Sequence, residues 1–452
     1  MMPCRVVGGI VLACGVLASA CGQTSPTGAP GSGAPSLVDA DLAAVVAAIR
    51  AVDNHTHVGS TAPGDPDSDA LPLDGLPRFD LPATIRPESP NWIAAGKALY
   101  GYPHADLSDA HRVELRAARE RVTKEQGDKF PEWVLDKVGT EVMLANRIAM
   151  GPGIAPPRFR WVSFADPLML PLSTTAEAAV TPDRAVLYPL EQKLLARYLS
   201  DLRLARLPAT LDEYLRTVVT ATLERQRQGG AVAVKFEAAY LRPLEFADAS
   251  ADTATRIYAR YVNGGEPSHA DYKTLEDFLF RYIAREAGRL GVAVHIHSFE
   301  GAGGFYAAAG SDPLLLESAF NDPALRRTNF VIVHGGGMYA AHAGAMVWKP
   351  NVYLDISLMT LIYTPAKLAG VLRDWLLQYP EKVLFGTDAA GLGPDLGWDV
   401  TAWTGTTAAR EALGIALTGM IRNGEVSRAR AAEIARMVMR TNAGRLYNLG
   451  LQ

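Results

Sequence analysis

The chain has 452 residues, of which 48% are hydrophobic and 20% charged, and its formal net charge is −4. This composition is that of a folded globular protein, and it excludes a disordered chain or a bundle of membrane-spanning helices. The small net charge gives no electrostatic reason for a nucleic acid partner, so we predict none.

The first 20 residues have the pattern of a secretory signal peptide. Arg5 precedes an apolar segment over residues 6–18, and small residues lead up to Cys21. Such a segment is too short to remain as a spanning helix. The run Ala-Ser-Ala before Cys21 resembles a bacterial lipobox, which implies a lipid anchor on that cysteine. We therefore expect an exported lipoprotein of the cell membrane that faces the periplasm or the cell exterior; ordinary secretion with cleavage near Ala20 is the alternative.

Residues 21–36 are predicted to form a flexible tether behind the anchor cysteine, because they are rich in Gly, Pro, Ser, Thr and Ala. The three cysteines of the chain all lie before residue 22. A domain over residues 37–452 therefore cannot contain a disulfide, and its stability must come from its core.

The remaining residues show regular elements in chain order. A helix over 37–50, capped by Ser36, precedes a strand over 51–58. Residues 59–138 are predicted to be a long, mostly helical insertion and a candidate lid, with one helix over 107–124. Further strands are predicted over 142–144, 159–164, 231–236, 292–297, 330–333, 352–356 and 383–385. The main helical regions after the insertion are 189–228 and 271–290.

Strands that are nearly continuous in apolar residues and alternate with helices favour a parallel sheet covered by helices. The count of about eight strands predicts an α/β fold, a (β/α)8 TIM barrel with a long insertion after strand 1. A doubly wound open sheet is the alternative.

Residues of the types that bind metals lie at the ends of four of the predicted strands. They are His55, His57, His297, His334 and Asp388. Residues i and i+2 of a strand share a face, so the first two histidines point together, and His295 is an alternative to His297 as the ligand. Because the carboxyl ends of all barrel strands meet at one face, we predict a divalent metal site there.

This set of ligands, with Lys235 on strand four, resembles the amidohydrolase superfamily. The resemblance includes the run Leu-Phe-Gly-Thr-Asp that ends at Asp388 and the closing run Thr-Asn-Ala-Gly-Arg-Leu-Tyr over 441–447. The run Val-Lys-Phe-Glu-Ala-Ala-Tyr over 234–240 and the His-Ile-His run over 295–297 look like the branch fused to glutamine synthetase-like proteins. The match extends over most of the chain after the tether but not over the insertion.

The resemblance implies which residues hold the metal. His55, His57 and Asp388 would hold one ion, and His297 and His334 would hold a second ion. A carbamate on Lys235 would bridge the two ions, or Glu237 on the same strand face would do so. If Lys235 instead forms a salt bridge with a neighbouring acid, the site holds one ion. Zinc is expected, although manganese, iron or nickel suit the same ligands.

The predicted function is that of a metal-dependent hydrolase, in which a metal-activated hydroxide attacks an amide, ester or lactone carbonyl of a small molecule. Asp388 would act as the base, and His334 or the metal would polarise the carbonyl. Tyr240 and Arg242 are candidates for binding an anionic group of the substrate. The alternatives are a decarboxylase or isomerase of the same superfamily and a non-enzymatic, lipid-anchored binding protein. The sequence predicts no oligomeric state.

Overall fold

The structure is a computed structural model. It describes residues 37–60, 65, 75–77, 81–86, 89–301, 303–393 and 396–451. The predicted signal peptide, the anchor Cys21 and the tether lie outside these ranges. None of the helices within them is long and apolar enough to cross a membrane.

The strands are β1 Ala51–Thr56, β2 Thr140–Asn146, β3 Phe159–Phe164, β4 Ala231–Phe236, β5 Ala293–His297, β6 Phe330–Val333, β7 Val352–Asp355 and β8 Val383–Leu384. The α-helices are α1 Ala40–Ala48, α2 Pro90–Tyr100, α3 Asp109–Gln126, α4 Phe130–Val138, α5 Thr175–Ala178, α6 Pro182–Asp201, α7 Leu211–Tyr214, α8 Ala221–Gln228, α9 Ala251–Tyr261, α10 His269–Leu290, α11 Glu317–Phe320, α12 Ala340–Met346, α13 Met359–Ile362, α14 Pro365–Leu376, α15 Trp398–Arg422, α16 Arg428–Arg436 and α17 Asn442–Leu446.

The eight strands form one parallel sheet in the order of the chain, from β1 to β8. Backbone hydrogen bonds then join its two edges. Asn54 N donates to Phe385 O at 2.9 Å, and His57 N donates to Ala389 O at 2.8 Å. The sheet is therefore a nearly closed (β/α)8 barrel, as predicted, and not the open doubly wound sheet.

Several predicted boundaries differ from the observed ones. The predictions for β3, β4 and β6 are confirmed, whereas β1 ends at Thr56 and leaves His57 just beyond the strand. The first helix is capped by Asp39, whose Oδ1 accepts a hydrogen bond from Leu42 N at 3.1 Å, and not by Ser36. Residues 147–158 between β2 and β3 contain no helix, so strand–helix alternation is interrupted there.

Apolar side chains from seven of the eight strands fill the inside of the barrel. They are Val52, Val142, Leu144, Val162, Ala233, Ala293, Val331, Val333 and Leu384. Ala443 and Tyr447, from the end of the chain, join this cluster. A barrel interior filled in this way is a packed core and not a pore, which confines a binding site to the strand ends.

The helical part of the insertion packs beside those strand ends. Trp92 and Leu99 of α2 share a buried cluster with Leu361 of α13 and Val400 of α15, the elements that follow β7 and β8. By contrast, α3 has no buried residue along its length.

Candidate active site

Three of the predicted ligands converge on one point at the strand ends. His55 Nε2 lies 3.2 Å from His57 Nε2 and 3.3 Å from Asp388 Oδ1, and His57 Nε2 lies 3.4 Å from the same oxygen. A tetrahedral ion with bonds of about 2.1 Å holds its ligand atoms roughly 3.4 Å apart. Asp388 Oδ1 is buried and receives no well-directed hydrogen bond. These three groups therefore fit a divalent cation between them.

Two of the strand-end residues have a left-handed backbone that non-glycine residues seldom adopt. The φ angle is 60° at Asp388 and 65° at His334. Hydrogen bonds hold both residues in place, because Asp388 N donates to His55 O at 2.9 Å and His334 N donates to Asp355 Oδ1 at 3.2 Å. Backbone strain of this kind costs about 1–3 kcal/mol per residue and is concentrated at functional sites.

Buried polar groups that were not predicted from the sequence hold His55 and the segment around Asp388 in place. Asp53 accepts hydrogen bonds from Thr387 N at 3.0 Å and from Thr387 Oγ1 at 2.6 Å. Burial raises the pKa of Asp53 to about 8. Asn146 Nδ2 lies 2.9 Å from His55 Nδ1, so it contacts the ring nitrogen opposite the one that faces Asp388. These contacts orient β1 and the segment after β8 relative to each other.

A second buried chain of hydrogen bonds fixes His334. The Ser357 hydroxyl donates to Asp355 and lies 2.8 Å from His334 Nδ1. Because that hydroxyl has a single proton, it must accept from His334 Nδ1–H, which leaves His334 Nε2 with a lone pair for a cation. Asn54 Nδ2 donates to the other oxygen of Asp355 at 2.7 Å. This tautomer favours a ligand role for His334 over the expected role as a donor to the carbonyl.

The fifth strand presents His297, and not His295, to the site. His297 Nε2 is buried without a hydrogen-bond partner, and its ring centroid lies 4.7 Å from that of His334. The Tyr447 hydroxyl donates to Asn54 and lies 2.7 Å from His295 Nε2, so this nitrogen must donate to the hydroxyl. The geometry therefore favours His297 as the ligand and ties His295 to the barrel core.

Lys235 lies between the ligands and a buried pair of acids. Its Nζ is 3.3 Å from His55 Nε2 and 3.5 Å from Glu237 Oε1. Asp166, just after β3, accepts from Glu237 N at 2.7 Å, and burial raises its pKa to about 7. Asp166 was not predicted as a site residue, although it is an acid that follows the end of a strand, as Asp388 does.

Two histidines of the site are held neutral and its carboxylate is held ionised. Burial, reinforced by Lys235, lowers the pKa of His55 well below its usual range and that of His334 to about 3. Burial alone would raise the pKa of Asp388, but His334, His55 and His57 hold it well below its usual range. Neutral imidazoles and an ionised carboxylate are the ligand forms of these side chains.

The two residues predicted to bind substrate differ in their surroundings. The Tyr240 hydroxyl lies 3.1 Å from His297 Nδ1, at the edge of the site. The Arg242 guanidinium is buried and donates to Glu276 at 2.8 Å and to Asp277 at 2.6 Å. Two backbone carbonyls accept hydrogen bonds from two more of its N–H groups. The structure thus gives Arg242 a structural role in place of the expected contact with an anionic substrate.

Comparison with known proteins adds two findings. A sequence model described as Amidohydrolase matches residues 195–449, more than half of the chain. No curated protein matches the chain.

Among solved structures, a Lactobacillus casei protein described as a metal-dependent hydrolase is 15% identical with a TM-score of 0.60, over 90% of this chain and 98% of that one. The uronate isomerase of Thermotoga maritima is 13% identical with a TM-score of 0.56, over 91% and 98%. The glucuronate isomerase of Caulobacter crescentus is 13% identical with a TM-score of 0.57, over 93% and 98%. At these identities the likeness shows a shared fold and leaves the reaction open.

Proposed function

The chain belongs to the amidohydrolase family, and on that premise we propose that it is a metal-dependent hydrolase of amide, ester or lactone bonds in small molecules. The observation that carries the proposal is the Asp388 carboxylate within 3.4 Å of both His55 Nε2 and His57 Nε2. A divalent metal held by these three groups, zinc by ligand type, would supply a Lewis acid that polarises a carbonyl and lowers the pKa of water.

The chain itself supplies the proton acceptor and the orientation of the ligands. Asp388 stays ionised at neutral pH because its pKa lies well below the usual range, so it can take a proton from the attacking water and pass it to the leaving group. Ser357 keeps the proton of His334 on Nδ1. Tyr240, next to His297, is the group we propose to contact the substrate.

The number of ions depends on Lys235. Within the part of the chain that the structure describes, His297 and His334 do not belong to the three-ligand group. A second ion between them therefore needs another oxygen ligand, and a carbamate on Lys235 or the carboxylate of Glu237 would supply it. Carbon-13-labelled bicarbonate should give a carbamate resonance in the wild type and none in Lys235→Arg. The absence of a resonance from both proteins would exclude the carbamate, and metal content per chain in Glu237→Gln would then distinguish a second ion held by Glu237 from a one-ion site.

The reaction class can be tested with purified, zinc-loaded protein. We expect acid or amine release from a panel of acyl amino acids, dipeptides and lactones, with hexuronates as the competing substrate class. Turnover should be lost in Asp388→Asn and kept in His269→Asn, a control in which an exposed histidine loses its contact with Glu177. Conversion of hexuronates alone would establish the isomerase alternative. A wild type that holds no metal and turns over nothing would refute both enzymatic readings.

We also propose that the enzyme works outside the cytoplasm, attached to the membrane through a lipid on Cys21. The support is the apolar leader followed by Ala-Ser-Ala-Cys. Labelled palmitate should be incorporated into the wild type and not into Cys21→Ala, and only the wild type should sediment with membranes. Equal sedimentation of both proteins would contradict the anchor.

A further inference from the structure

We propose that the insertion carries a second metal site, separate from the barrel and formed by His104, His111 and Glu114, which binds a transition-metal ion such as zinc. One ligand atom from each of these residues lies within 4.8 Å of the others. An ion with bonds of about 2.1 Å holds its ligands roughly 3.0–3.4 Å apart, so rotations of partly exposed side chains suffice to close the site.

Helix geometry places two of the ligands together. His111 and Glu114 lie three residues apart in the first turns of α3, and residues at this spacing share one side of a helix. His104 comes from the loop before the helix, and its Nε2 lies 2.8 Å from Glu114 Oε2. The Tyr102 ring packs edge-on against His104, with ring centroids 5.3 Å apart. A helix and its preceding loop thus meet at one point.

A fourth residue orients His111 in the way that metal-bound histidines are usually oriented. His111 Nδ1 lies 2.8 Å from Asp106 Oδ1, and Ser108 N donates to the same oxygen at 2.9 Å. These two contacts lower the pKa of Asp106 to about 2, so its carboxylate is an acceptor at neutral pH. An imidazole that donates Nδ1–H to a carboxylate has Nε2 available for a metal.

The stacking of the two rings requires one of them to turn before an ion can bind. The His104 and His111 rings are parallel within 8°, with centroids 3.6 Å apart. Because the lone pair of a ring nitrogen lies in the plane of the ring, two stacked rings cannot both direct a lone pair at one ion. The two side chains are 26% and 30% exposed, so solvent leaves room for this rotation. A set of imidazole and carboxylate ligands suits zinc, nickel, cobalt or copper better than magnesium or calcium.

The ion would also add an attachment at the start of α3. The later turns of the helix are already held, because Leu115 and Val122 pack against a buried cluster and Arg119 Nη2 donates to the buried Asp399 carboxylate at 2.6 Å. Coordination would join the helix to the loop over residues 101–108, and binding of a structural ion is itself a source of folding free energy. The site would therefore stabilise the insertion and take no part in the reaction.

Metal content per chain tests the site directly. After dialysis against zinc, His111→Ala should hold about one ion fewer than the wild type, because it loses a ligand of the proposed site. His342→Ala is a matched control, because His342 Nδ1 also contacts a carboxylate, that of Asp312 at 2.9 Å. It should hold as much zinc as the wild type. Equal metal content in the wild type and His111→Ala would overturn the proposal.

Hydrogen exchange adds a readout that is independent of the barrel. Zinc should slow amide exchange in α3 for the wild type and for His55→Ala, and should have no such effect in His111→Ala. Circular dichroism checks that each variant is folded, and Glu114→Gln replaces His111→Ala if the latter is not. If zinc still slows exchange in α3 of both His55→Ala and His111→Ala, the ion that protects the helix binds at neither site, and the proposal is wrong. Protection lost only in His55→Ala would assign the effect to the barrel site.

Discussion

The barrel and the insertion each bring two histidines and a carboxylate together, but they do so with different means. In the barrel, the side chains of His55, His57 and Asp388 are 0%, 13% and 15% exposed. In the insertion, those of His104, His111 and Glu114 are 26%, 30% and 58% exposed. The same ligand chemistry therefore occurs once in a desolvated core and once at a surface.

The difference lies in what holds the ligands. In the barrel, parallel strands, left-handed backbone and buried acids such as Asp355 fix each ring before any ion binds. In the insertion, one helical turn and a short loop do so through side-chain contacts alone. We therefore expect the barrel site to be sensitive to changes in its supporting residues. The insertion site should depend on its ligands and on Asp106, and little on the rest of the fold.

The largest effect should come from the barrel carboxylate. Asp388→Asn keeps a residue that tolerates the left-handed backbone and removes the ionised oxygen. Turnover should fall by roughly 10²- to 10⁴-fold, the range for loss of a general acid–base group. Steady-state kinetics on the substrate found by the screen measure it. Unchanged turnover would show that another group is the base.

The second largest effect should be a loss of metal affinity when the residue that orients a ligand is removed. Ser357→Ala removes the acceptor of His334 Nδ1–H, and loss of such a partner lowers metal affinity by roughly 10- to 100-fold. Competition with a chromogenic chelator measures the affinity. Thr274→Ala, which removes an exposed hydroxyl from α10, is the control and should leave the affinity unchanged. Affinity equal to that of the wild type in Ser357→Ala would contradict the ligand role of His334.

Backbone geometry behind His334 should affect stability. Gly335 has a φ of +55°, and a Cβ there would lie 2.3 Å from Trp375 Cη2. Gly335→Ala should therefore lower the free energy of unfolding by about 1–3 kcal/mol. Gly370→Ala, in the middle of α14 with no atom near its Cβ, should raise it by up to about 1 kcal/mol. Urea denaturation of both variants measures these changes, and equal midpoints would show that the loop adapts freely.

The smallest effect should be seen in the insertion without metal. In excess chelator, His104→Ala removes a partly exposed ion pair with Glu114 and ring contacts with Tyr102 and His111 at the surface, so the urea midpoint should stay close to that of the wild type. A clear loss of stability under these conditions would show that the cluster is held by its own contacts. The contrast with the barrel would then disappear.

Much of the barrel could be predicted because its signals are local. Mainly apolar runs marked β3, β4 and β6, and polar residues after such runs marked His334 and Asp388. The rest depended on packing between distant segments. Asp355 lies within a predicted strand, but its bond to His334 follows from the β6–β7 register.

Other contacts could not be predicted from the sequence because they also join distant segments. Nothing near Arg242 in the sequence shows that Glu276 and Asp277 of α10 surround it. The contact between His104 and His111 requires the direction in which the loop enters α3, and no periodicity gives that direction. Strand ends converge by the rules of the fold, whereas a loop and a helix in an insertion do not.

The seam between the first and last strands has a consequence for how the enzyme matures. Asp388 N donates to His55 O, so two of the proposed ligands lie on either side of this seam. A nascent chain that has not yet docked β8 has two histidines and no carboxylate at this site. Tight retention of metal would thus report completion of the barrel, and truncation before β8 should abolish it.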